Sequence, residues 1–360
     1  MFALRERSHY DKPMKNFDFR GLPWNVVFGA GALRRAPQIL RESGFNRALI
    51  LSTPGRTRQV ESLRALLGVA SAGTFERAAV HVPASVVAEA RRAVDSTGAD
   101  CTLSLGGGST TGLGKLLRLE AGIPQIAIPT TYAGSEMTPI WGVTEGNVKR
   151  TGRDLRVLPI AVIYDPELLV SLPRGVAGPS ALNAMAQAIA NVQTNPLVGL
   201  IAREAIHVLA SGLAAVMKRN DDIDAHSVML YGSCLAGAAL GLGRSGLHHR
   251  ICHTLGGMYN LPHAETHAVI LPYSVAFTAR VAPDEAAAIA AALRVEVATA
   301  RLHELMRLAC EKHSLAALGL SESDLDAAAA AVVNTPVPGP VAITHAAVRQ
   351  LLQDAFEGKR

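Results

Sequence analysis

The sequence predicts an α/β domain followed by an all-helical domain. Before residue 165, short runs rich in β-branched residues alternate with helix-length segments, which is the pattern of βαβ units and a parallel sheet. After residue 165, strand patterns almost disappear and Ala-rich helical stretches dominate. The 360 residues are enough for two such domains. We therefore expect residues 1–165 to form the first domain and residues 166–360 the second.

The predicted strands of the first domain are short, apolar and bounded by turn residues. Two helical segments separate some of them: the amphipathic segment 36–44, which stops at a glycine as helices usually do, and the segment 85–98. The six predicted strands are 24–29, 47–53, 78–83, 101–105, 123–129 and 159–166.

The second domain is predicted to contain helices only. A Pro-rich break, NTPVPGP at 334–340, interrupts the helical pattern before a last helix at 344–355. The other predicted helices of this domain are 178–192, 198–218, 224–242, 284–311 and 322–333.

Composition excludes several classes of protein. Hydrophobic residues make up 49% of the chain and charged residues 18%, which fits a compact protein rather than a disordered one. The net charge of +5 comes without a basic run interleaved with aromatics. We therefore expect a small acidic substrate or a nucleotide phosphate as the partner, and neither nucleic acid nor a membrane.

Cysteine usage and targeting signals point to the cytoplasm. The four cysteines have no paired spacing, so we expect reduced thiols. The first residues, MFALRERSHYDKP, lack the apolar core of a signal peptide, and the longest apolar tract, 196–216, is broken by Arg203, Glu204 and His207. These features predict a cytoplasmic protein without a transmembrane helix.

A glycine-rich loop, LSLGGGSTTGLGK at 103–115, lies between a predicted strand and a helix. Gly106, Gly107 and Gly108 would let the backbone approach a phosphate closely, and the following helix N-terminus offers free N–H groups and the positive end of its dipole. Ser109 adds a hydroxyl. The loop matches neither the GxGxxG fingerprint nor a Walker loop, and a tight turn alone would also use glycines.

A second loop, PTTYAGSEMTP at 129–139, follows the next strand and is rich in hydroxyls. In a parallel sheet both loops emerge at the carboxyl edge, where ligands bind. Together they predict a Rossmann-like nucleotide-binding domain. The strand that ends at Ser52 is followed by Arg56 and by no acid that would hold the ribose of NAD, so we expect NADPH to be accepted beside NADH.

These motifs together resemble the group III, iron-containing alcohol dehydrogenase-like family, which has the dehydroquinate synthase-like fold. The resemblance covers nearly the whole chain. The motifs that show it are VVFGAGAL at 26–33, GGGS at 106–109, PTT at 129–131, DPEL at 165–168 and the H-x₃-H-x₉-H run at 249–263. The metal-dependent members carry an Asp where this chain has Gly112.

Within the family, three motifs resemble those of the branch that reduces maleylacetate to 3-oxoadipate in the breakdown of aromatic compounds. They are GGGSTTGLGK, PTTYAGSEMTPIWG and GLHHRICHTLGG. The resemblance implies hydride transfer from NADH or NADPH to a conjugated C=C bond, and a homodimer. The cofactor residues that we expect are Ser52, Gly106, Gly107, Gly108, Ser109, Thr130, Thr131, Ser135, Thr138, Lys149 and Leu168.

The resemblance also identifies the metal positions. In the metal-dependent members an Asp and a His one helical turn apart join two histidines that match His249 and His263. This chain has Asn183 and Gln187 at the first two positions. A neutral amide oxygen is a weak ligand that brings no charge, so we expect no stoichiometric metal.

His253, His249 and His263 are the predicted catalytic residues, with His253 as the proton donor or enolate stabiliser. Asn183, Gln187, Tyr132 and Arg244 are the predicted substrate-binding residues, whereas His248 and His267 are expected to face solvent or neighbouring side chains. Two other functions remain open at this point. One is a metal-dependent alcohol dehydrogenase or aldehyde reductase, and the other is a nucleotide-binding protein without catalysis.

Overall fold

The computed structural model describes residues 16–146, 148–334 and 343–359. The first thirteen residues and most of the predicted break at 334–340 lie outside these ranges. Eight strands are present in the described part of the chain: Val26–Phe28 (β1), Ala48–Leu51 (β2), Ser71–Phe75 (β3), Cys101–Gly106 (β4), Gln125–Pro129 (β5), Ile140–Glu145 (β6), Val148–Arg153 (β7) and Ala161–Tyr164 (β8).

Six of these strands form one parallel sheet in the order β1-β8-β5-β4-β2-β3. The predicted parallel sheet is therefore confirmed. The chain leaves β2 toward β3 on one side and leaves β4 toward β5 on the other, so β2 and β4 flank a topological switch point. A crevice opens at the carboxyl ends of the strands at such a point, and ligands bind there.

Helices cover both faces of the sheet. Leu49 and Leu51 pack into the apolar cluster on one face, and Ile50 between them packs into the cluster on the other, because successive side chains of a strand point to opposite faces. All four residues of β2 are buried. The covering helices are Ala36–Glu42 (α1), Thr57–Leu67 (α2), Ala84–Thr97 (α3) and Gly108–Ala121 (α4).

The predicted strand at 78–83 is wrong. The third strand of the sheet is Ser71–Phe75, and residues 78–83 form an irregular loop in which His81 and Val82 have positive φ. The apolar spacing of AAVHVP matched a strand, but its buried positions, Ala78 and Val82, instead pack over α3 and α4 as part of a loop. The hairpin of β6 and β7 was not predicted.

The described residues after 165 form helices and connecting turns, as predicted. The segment 284–311 consists of two helices rather than one, because Arg294 adopts a left-handed conformation that ends the first of them. The nine helices of the described second half are Arg174–Ile189 (α5), Pro196–Lys218 (α6), Ile223–Leu242 (α7), Leu247–Tyr259 (α8), His263–Val281 (α9), Pro283–Leu293 (α10), Ala298–Ala309 (α11), Leu325–Val333 (α12) and His345–Glu357 (α13). They enclose the largest apolar cluster of the molecule.

Two helices, α6 and α7, are long and apolar enough to cross a membrane by length and composition alone. Both contribute to the core of the helical half, where α6 packs against α7 and both pack against α5. A buried core helix passes the same test of length and hydropathy, so these two helices carry no argument for a membrane.

Close backbone contact joins the two halves. Gly134, in the second hydroxyl loop, lies against Gly237 of α7, where an added Cβ would fall 2.2 Å from the carbonyl oxygen of Gly134. Arg153, at the end of β7, donates hydrogen bonds to the carbonyls of Leu240, Gly241 and Gly243. The cofactor edge of the sheet is thereby fixed against the helical half.

Candidate active site

The glycine loop connects β4 to α4 at the carboxyl edge of the sheet. Gly106 has φ of 155° and an added Cβ there would lie 2.7 Å from Thr110 Oγ1, so the turn requires glycine. Gly107 is the N-cap of α4, and no side chain caps the first turn of this fourteen-residue helix. Gly108 is exposed and Ser109 is partly exposed. The free N–H groups of this turn fit a phosphate.

The second hydroxyl loop lies beside the first. Thr130 is fully buried and its Oγ1 has no hydrogen-bond partner among the described residues. Thr131 is partly exposed, and its hydroxyl would lie 2.9 Å from a Cβ added to Gly107. The structure therefore brings Thr130, Thr131 and the glycine loop together, as expected for a cofactor site.

Lys115 organises the rest of the second loop. Its fully buried Nζ donates to the carbonyls of Ser135, Thr138 and Ile140 at 2.6, 2.8 and 2.8 Å. It also donates to the hydroxyls of Ser135 and Thr138 at 3.4 and 3.1 Å. Desolvation lowers the pKa of Lys115 to about 7, and the carboxylate of Glu136 opposes this effect. Only the ammonium form has the three donors that three carbonyls require.

Lys115 has no role in the sequence-based prediction, and its network changes the role of two predicted residues. The buried hydroxyl of Thr138 bonds Lys115 and the carbonyl of Ser135, so it cannot reach the cofactor crevice. Ser135 stays partly exposed, but both its carbonyl and its hydroxyl accept from Lys115. The two residues shape the loop through Lys115.

Tyr132 is predicted to bind substrate, and the structure places its side chain in the core. Its side chain is fully buried and its hydroxyl bonds His226 Nδ1. Its backbone N–H donates to Ser180 Oγ. Burial raises the pKa of the Tyr132 hydroxyl, so the group is a neutral part of the core and contributes to packing between the loop and the helices.

Three further predicted residues lie along the cofactor edge. Ser52 is fully buried and its hydroxyl has only a long bond of 3.4 Å to the Thr53 carbonyl, so it is not presented at the surface of the crevice. Leu168 is partly exposed, and its carbonyl accepts from Gln59 Nε2. Arg56 donates to the side chain of Gln59, and this bond places a cation at the end of β2.

Five imidazoles form one group, which we name the histidine cluster: His248, His249, His253, His263 and His267. His267 lies at its centre, with ring centroids 4.5 Å from His263 and 5.0 Å from both His248 and His249. The rings of His253 and His263 stack at 6.0 Å. The three predicted catalytic histidines are therefore neighbours in space.

His248 and His267 are not surface residues. Both are buried, and His248 Nε2 bonds His267 Nδ1 at 3.0 Å. His248 Nδ1 bonds Ser274 Oγ at 3.0 Å, and Cys252 Sγ lies 3.8 Å from His248 Nε2. The ligand-type atoms of these two histidines and Cys252 all lie within 4.8 Å of one another. This buried group forms a scaffold that holds the outer rings in place.

The electrostatic environment of the histidine cluster is basic. Desolvation lowers the pKa of His249 to about 4. The pKa of His263 is lowered to about 3, first by desolvation and then by the charge of Lys149. The pKa of His253 is also well below its usual value, through desolvation first and then His249 and Lys149. His253 is exposed at the cleft surface, so the cleft walls desolvate it without enclosing it. Without a bound anion these rings are neutral at pH 7.

Lys149 projects from the hairpin toward the cluster. It lies on β7 opposite Thr144 of β6, and its charge lowers the pKa of His253, His263 and His81. Desolvation lowers the pKa of Lys149 itself. A lysine predicted to bind the cofactor thus lies near the histidines.

Arg244 does not join the cluster. Its side chain is exposed. Its backbone N–H and carbonyl form hydrogen bonds with the side chain of Asn191, in the turn after α5. Its charge opposes the desolvation that raises the pKa of Glu285. The predicted role of Arg244 in binding substrate is therefore not supported.

Asn183 and Gln187 are one turn apart on α5, and both are buried. Helix α5 packs against α9, which begins at His263. Gln187 Nε2 donates to the carbonyl of Ala133 at 2.8 Å, while its Oε1 has no partner among the described residues. Both ring nitrogens of His249 are also without a partner there.

The donor set does not fit a tightly held iron or zinc ion. Two imidazoles and two amide oxygens supply no negative charge, whereas Lys149 and Arg250 add positive charge to the same cleft. Divalent ions bind poorly to neutral amide oxygens, and nearby cations weaken binding further. The unpartnered nitrogens of His249 are better suited to hydrogen bonds with a polar ligand.

Two family profiles match the chain over most of its length. Residues 23–166 match iron-containing alcohol dehydrogenase, and residues 179–356 match the C-terminal part of the Fe-containing alcohol dehydrogenase family. The chain belongs to the iron-containing alcohol dehydrogenase family. The junction between the two matches falls where the sheet ends and the helices begin.

Several similar members of this family are named maleylacetate reductase. The chain is 46% identical to maleylacetate reductase of Burkholderia cepacia over 350 residues, covering 96% of this chain and 99% of the relative. It is 45% identical to maleylacetate reductase of Rhizobium sp. strain MTP-10005, with the same coverage. The crystal structure of maleylacetate reductase from Agrobacterium tumefaciens superposes with a TM-score of 0.92 at 44% identity, covering 96% of this chain and 100% of that one. The family resemblance and the fold class inferred from the sequence are confirmed.

Proposed function

We propose that this protein reduces the carbon–carbon double bond of maleylacetate to give 3-oxoadipate, using NADH or NADPH and no bound metal ion. The observation that carries the proposal is the basic cleft in which the histidine cluster and Lys149 meet beside two phosphate-type loops. Relatives named maleylacetate reductase at 45–46% identity support the choice of substrate.

The dinucleotide fits the residues at the carboxyl edge of the sheet. The free N–H groups at the start of α4 and the hydroxyl of the partly exposed Thr131 suit its pyrophosphate. Arg56 offers a cation for a 2′-phosphate. When bound, NAD(P)H supplies the hydride that adds to the double-bond carbon farther from the ketone.

The cleft selects an anionic substrate. Maleylacetate carries two carboxylates, and the described titratable groups that act on His253 are His249, Lys149, His263 and Arg250, all of them basic. The negative charges of a bound dianion would offset the repulsion among these basic groups and so raise the pKa values of the imidazoles. Substrate binding thereby converts neutral rings into proton donors at pH 7.

His253 is the residue best placed to act on the reacting atoms. Addition of the hydride moves the electron pair of the double bond toward the conjugated ketone and forms an enolate. A hydrogen bond from His253 stabilises the enolate oxygen, and a proton added to the carbon beside the ketone completes the reduction. His253 suits this role because its ring is exposed at the cleft and supported by His263 and His267.

The absence of a metal follows in this proposal from the donor set. Asn183 and Gln187 offer neutral oxygens, so polarisation of the ketone is left to hydrogen-bond donors. A cytoplasmic location and a homodimer complete the proposal. The unpaired cysteines are consistent with the first, and the family resemblance suggests the second.

The direct test is NADH oxidation with maleylacetate, followed by absorbance, on enzyme treated with and without EDTA. Rapid oxidation that survives the chelator is expected. Loss of activity with EDTA and its return with iron or zinc would reject the metal-free mechanism. If no oxidation occurs in either sample, maleylacetate is the wrong substrate.

A second measurement tests the role of His253. His253→Ala should lower kcat by about 100-fold or more, the range typical of a lost proton donor. The matched control is His345→Ala, which removes an exposed imidazole on α13. Near-normal turnover of His253→Ala would exclude it as the proton donor.

A further inference from the structure

The loop 79–83 has an unusual backbone. Four non-glycine residues of the described chain have positive φ, and two of them, Asn260 and Arg294, are the C-caps of helices, where this conformation is common. His81 and Val82, with φ of 63° and 48°, are consecutive and follow no helix. Left-handed conformation is costly for a β-branched residue, so the surroundings must hold it.

Contacts with the hairpin and with α4 fix this loop. Thr144 Oγ1 donates to the carbonyl of His81 at 2.9 Å, and the Thr144 N–H donates to the carbonyl of Val82 at 3.1 Å. Val82 is buried, and a Cβ added to Gly112 of α4 would lie 2.9 Å from Val82 Cγ2. A side chain at position 112 would therefore displace the loop.

These contacts bring the His81 ring to the cleft. Thr144, which holds the His81 carbonyl, is the cross-strand partner of Lys149. The charge of Lys149 lowers the pKa of His81, and the charge of His81 lowers the pKa of His263 across the cleft. The ring is partly exposed, and none of the described residues forms a hydrogen bond with it. It is thus available to a ligand in the cleft.

We propose that His81 binds one carboxylate of the substrate from the sheet side of the cleft, opposite the histidine cluster. The left-handed backbone, the Thr144 hydrogen bonds and the close contact of Val82 with Gly112 together fix the loop that carries this ring. His81 then favours a dicarboxylate over a monocarboxylate of equal length, because it adds a partner for the second carboxylate on the sheet side of the cleft. This inference rests on the proposed function and names a residue that recognises its substrate.

The test compares two non-reactive ligands on NADH-loaded enzyme, adipate and hexanoate, which differ by one carboxylate. In His81→Asn, which keeps a residue that tolerates positive φ, adipate affinity should fall about 10- to 100-fold, the loss of one charge-assisted hydrogen bond. Hexanoate affinity, and the KM for NADH, should change less than about twofold by the same reasoning. The KM for maleylacetate should rise with the adipate constant.

Two controls make the result decisive. His81→Gly relieves the backbone strain and should melt no lower than the wild type while showing the same loss of adipate affinity. Val80→Ala alters an exposed neighbour and should change nothing. Unchanged adipate affinity, or equal losses for adipate and hexanoate, would overturn the inference. Failure of the wild type to reduce maleylacetate would reject the proposed function alone, because adipate binding still decides the role of His81.

Discussion

The basic cleft predicts that a dicarboxylate takes up a proton when it binds. Desolvation, Lys149, His249 and His81 hold the pKa of His263 at about 3 in the free enzyme, so the ring is neutral at pH 7. A carboxylate beside the ring favours the charged form and raises this pKa. The perturbation is therefore the ligand itself, and the observable is the number of protons bound with it.

The magnitude follows from the number of carboxylates. At an effective dielectric constant of about 20, carboxylates at roughly 4 and 6 Å stabilise an imidazolium by about 4 and 3 kcal/mol. Since one pKa unit corresponds to about 1.4 kcal/mol, two carboxylates raise the pKa of His263 from about 3 to roughly 8, and one raises it to roughly 6. At pH 7 the His263 ring should thus take up about 0.9 proton when a dicarboxylate binds and about 0.1 proton when a monocarboxylate binds.

Isothermal titration calorimetry of NADH-loaded enzyme measures this uptake. Adipate and hexanoate are titrated at pH 7 in buffers with different ionisation enthalpies, and the slope of the observed enthalpy gives the proton count. A His263→Asn variant should take up about 0.9 proton fewer than the wild type when adipate binds. Uptake near zero for adipate in the wild type, or equal uptake for the two ligands, would refute the electrostatic argument.

Three other measurements follow from the structure. Asn183→Asp combined with Gln187→His restores a set of four metal ligands. By elemental analysis the double variant should retain about one zinc ion per chain, and the wild type less than about a tenth of one. Stoichiometric metal in the wild type would contradict the donor-set argument. Burial lowers the pKa of Lys115 to about 7 from 10.5, so the folded state binds fewer protons between these values and stability rises with pH there. Between pH 8 and 9 the free energy of unfolding of the wild type should rise by about 1.3 kcal/mol more than that of Lys115→Met, which corresponds to roughly 2 °C in Tm. If the Tm values of the two proteins change equally with pH, the pKa of Lys115 is not lowered. Arg56→Ala should raise the KM for NADPH about tenfold and that for NADH little; equal changes would show that Arg56 does not contact the 2′-phosphate.

Most of the elements and much of the chemistry at the sheet edge could be predicted from the sequence. Alternating apolar runs and glycine-bounded segments indicated five of the six parallel strands, because burial on both faces leaves a local signal. The i, i+4 spacing placed His249 and His253 on one helix, and the family wording identified Asn183 and Gln187. The run AAVHVP was mistaken for a strand because two apolar positions in a packed loop have the same spacing as a strand.

Only the tertiary structure decided which polar groups face the cleft. Tyr132 and Thr138 lie in a hydroxyl-rich loop, yet His226 and Lys115 bind their hydroxyls inside the core, and neither partner lies within ten residues in sequence. His248 and His267 came from two helices to form a buried pair. Hydrogen bonds and charge interactions depend on distance in space, and a sequence without its fold contains no such distances. The chain therefore fixed which groups were available, and packing of the hairpin and helices decided that basic groups would surround one cleft.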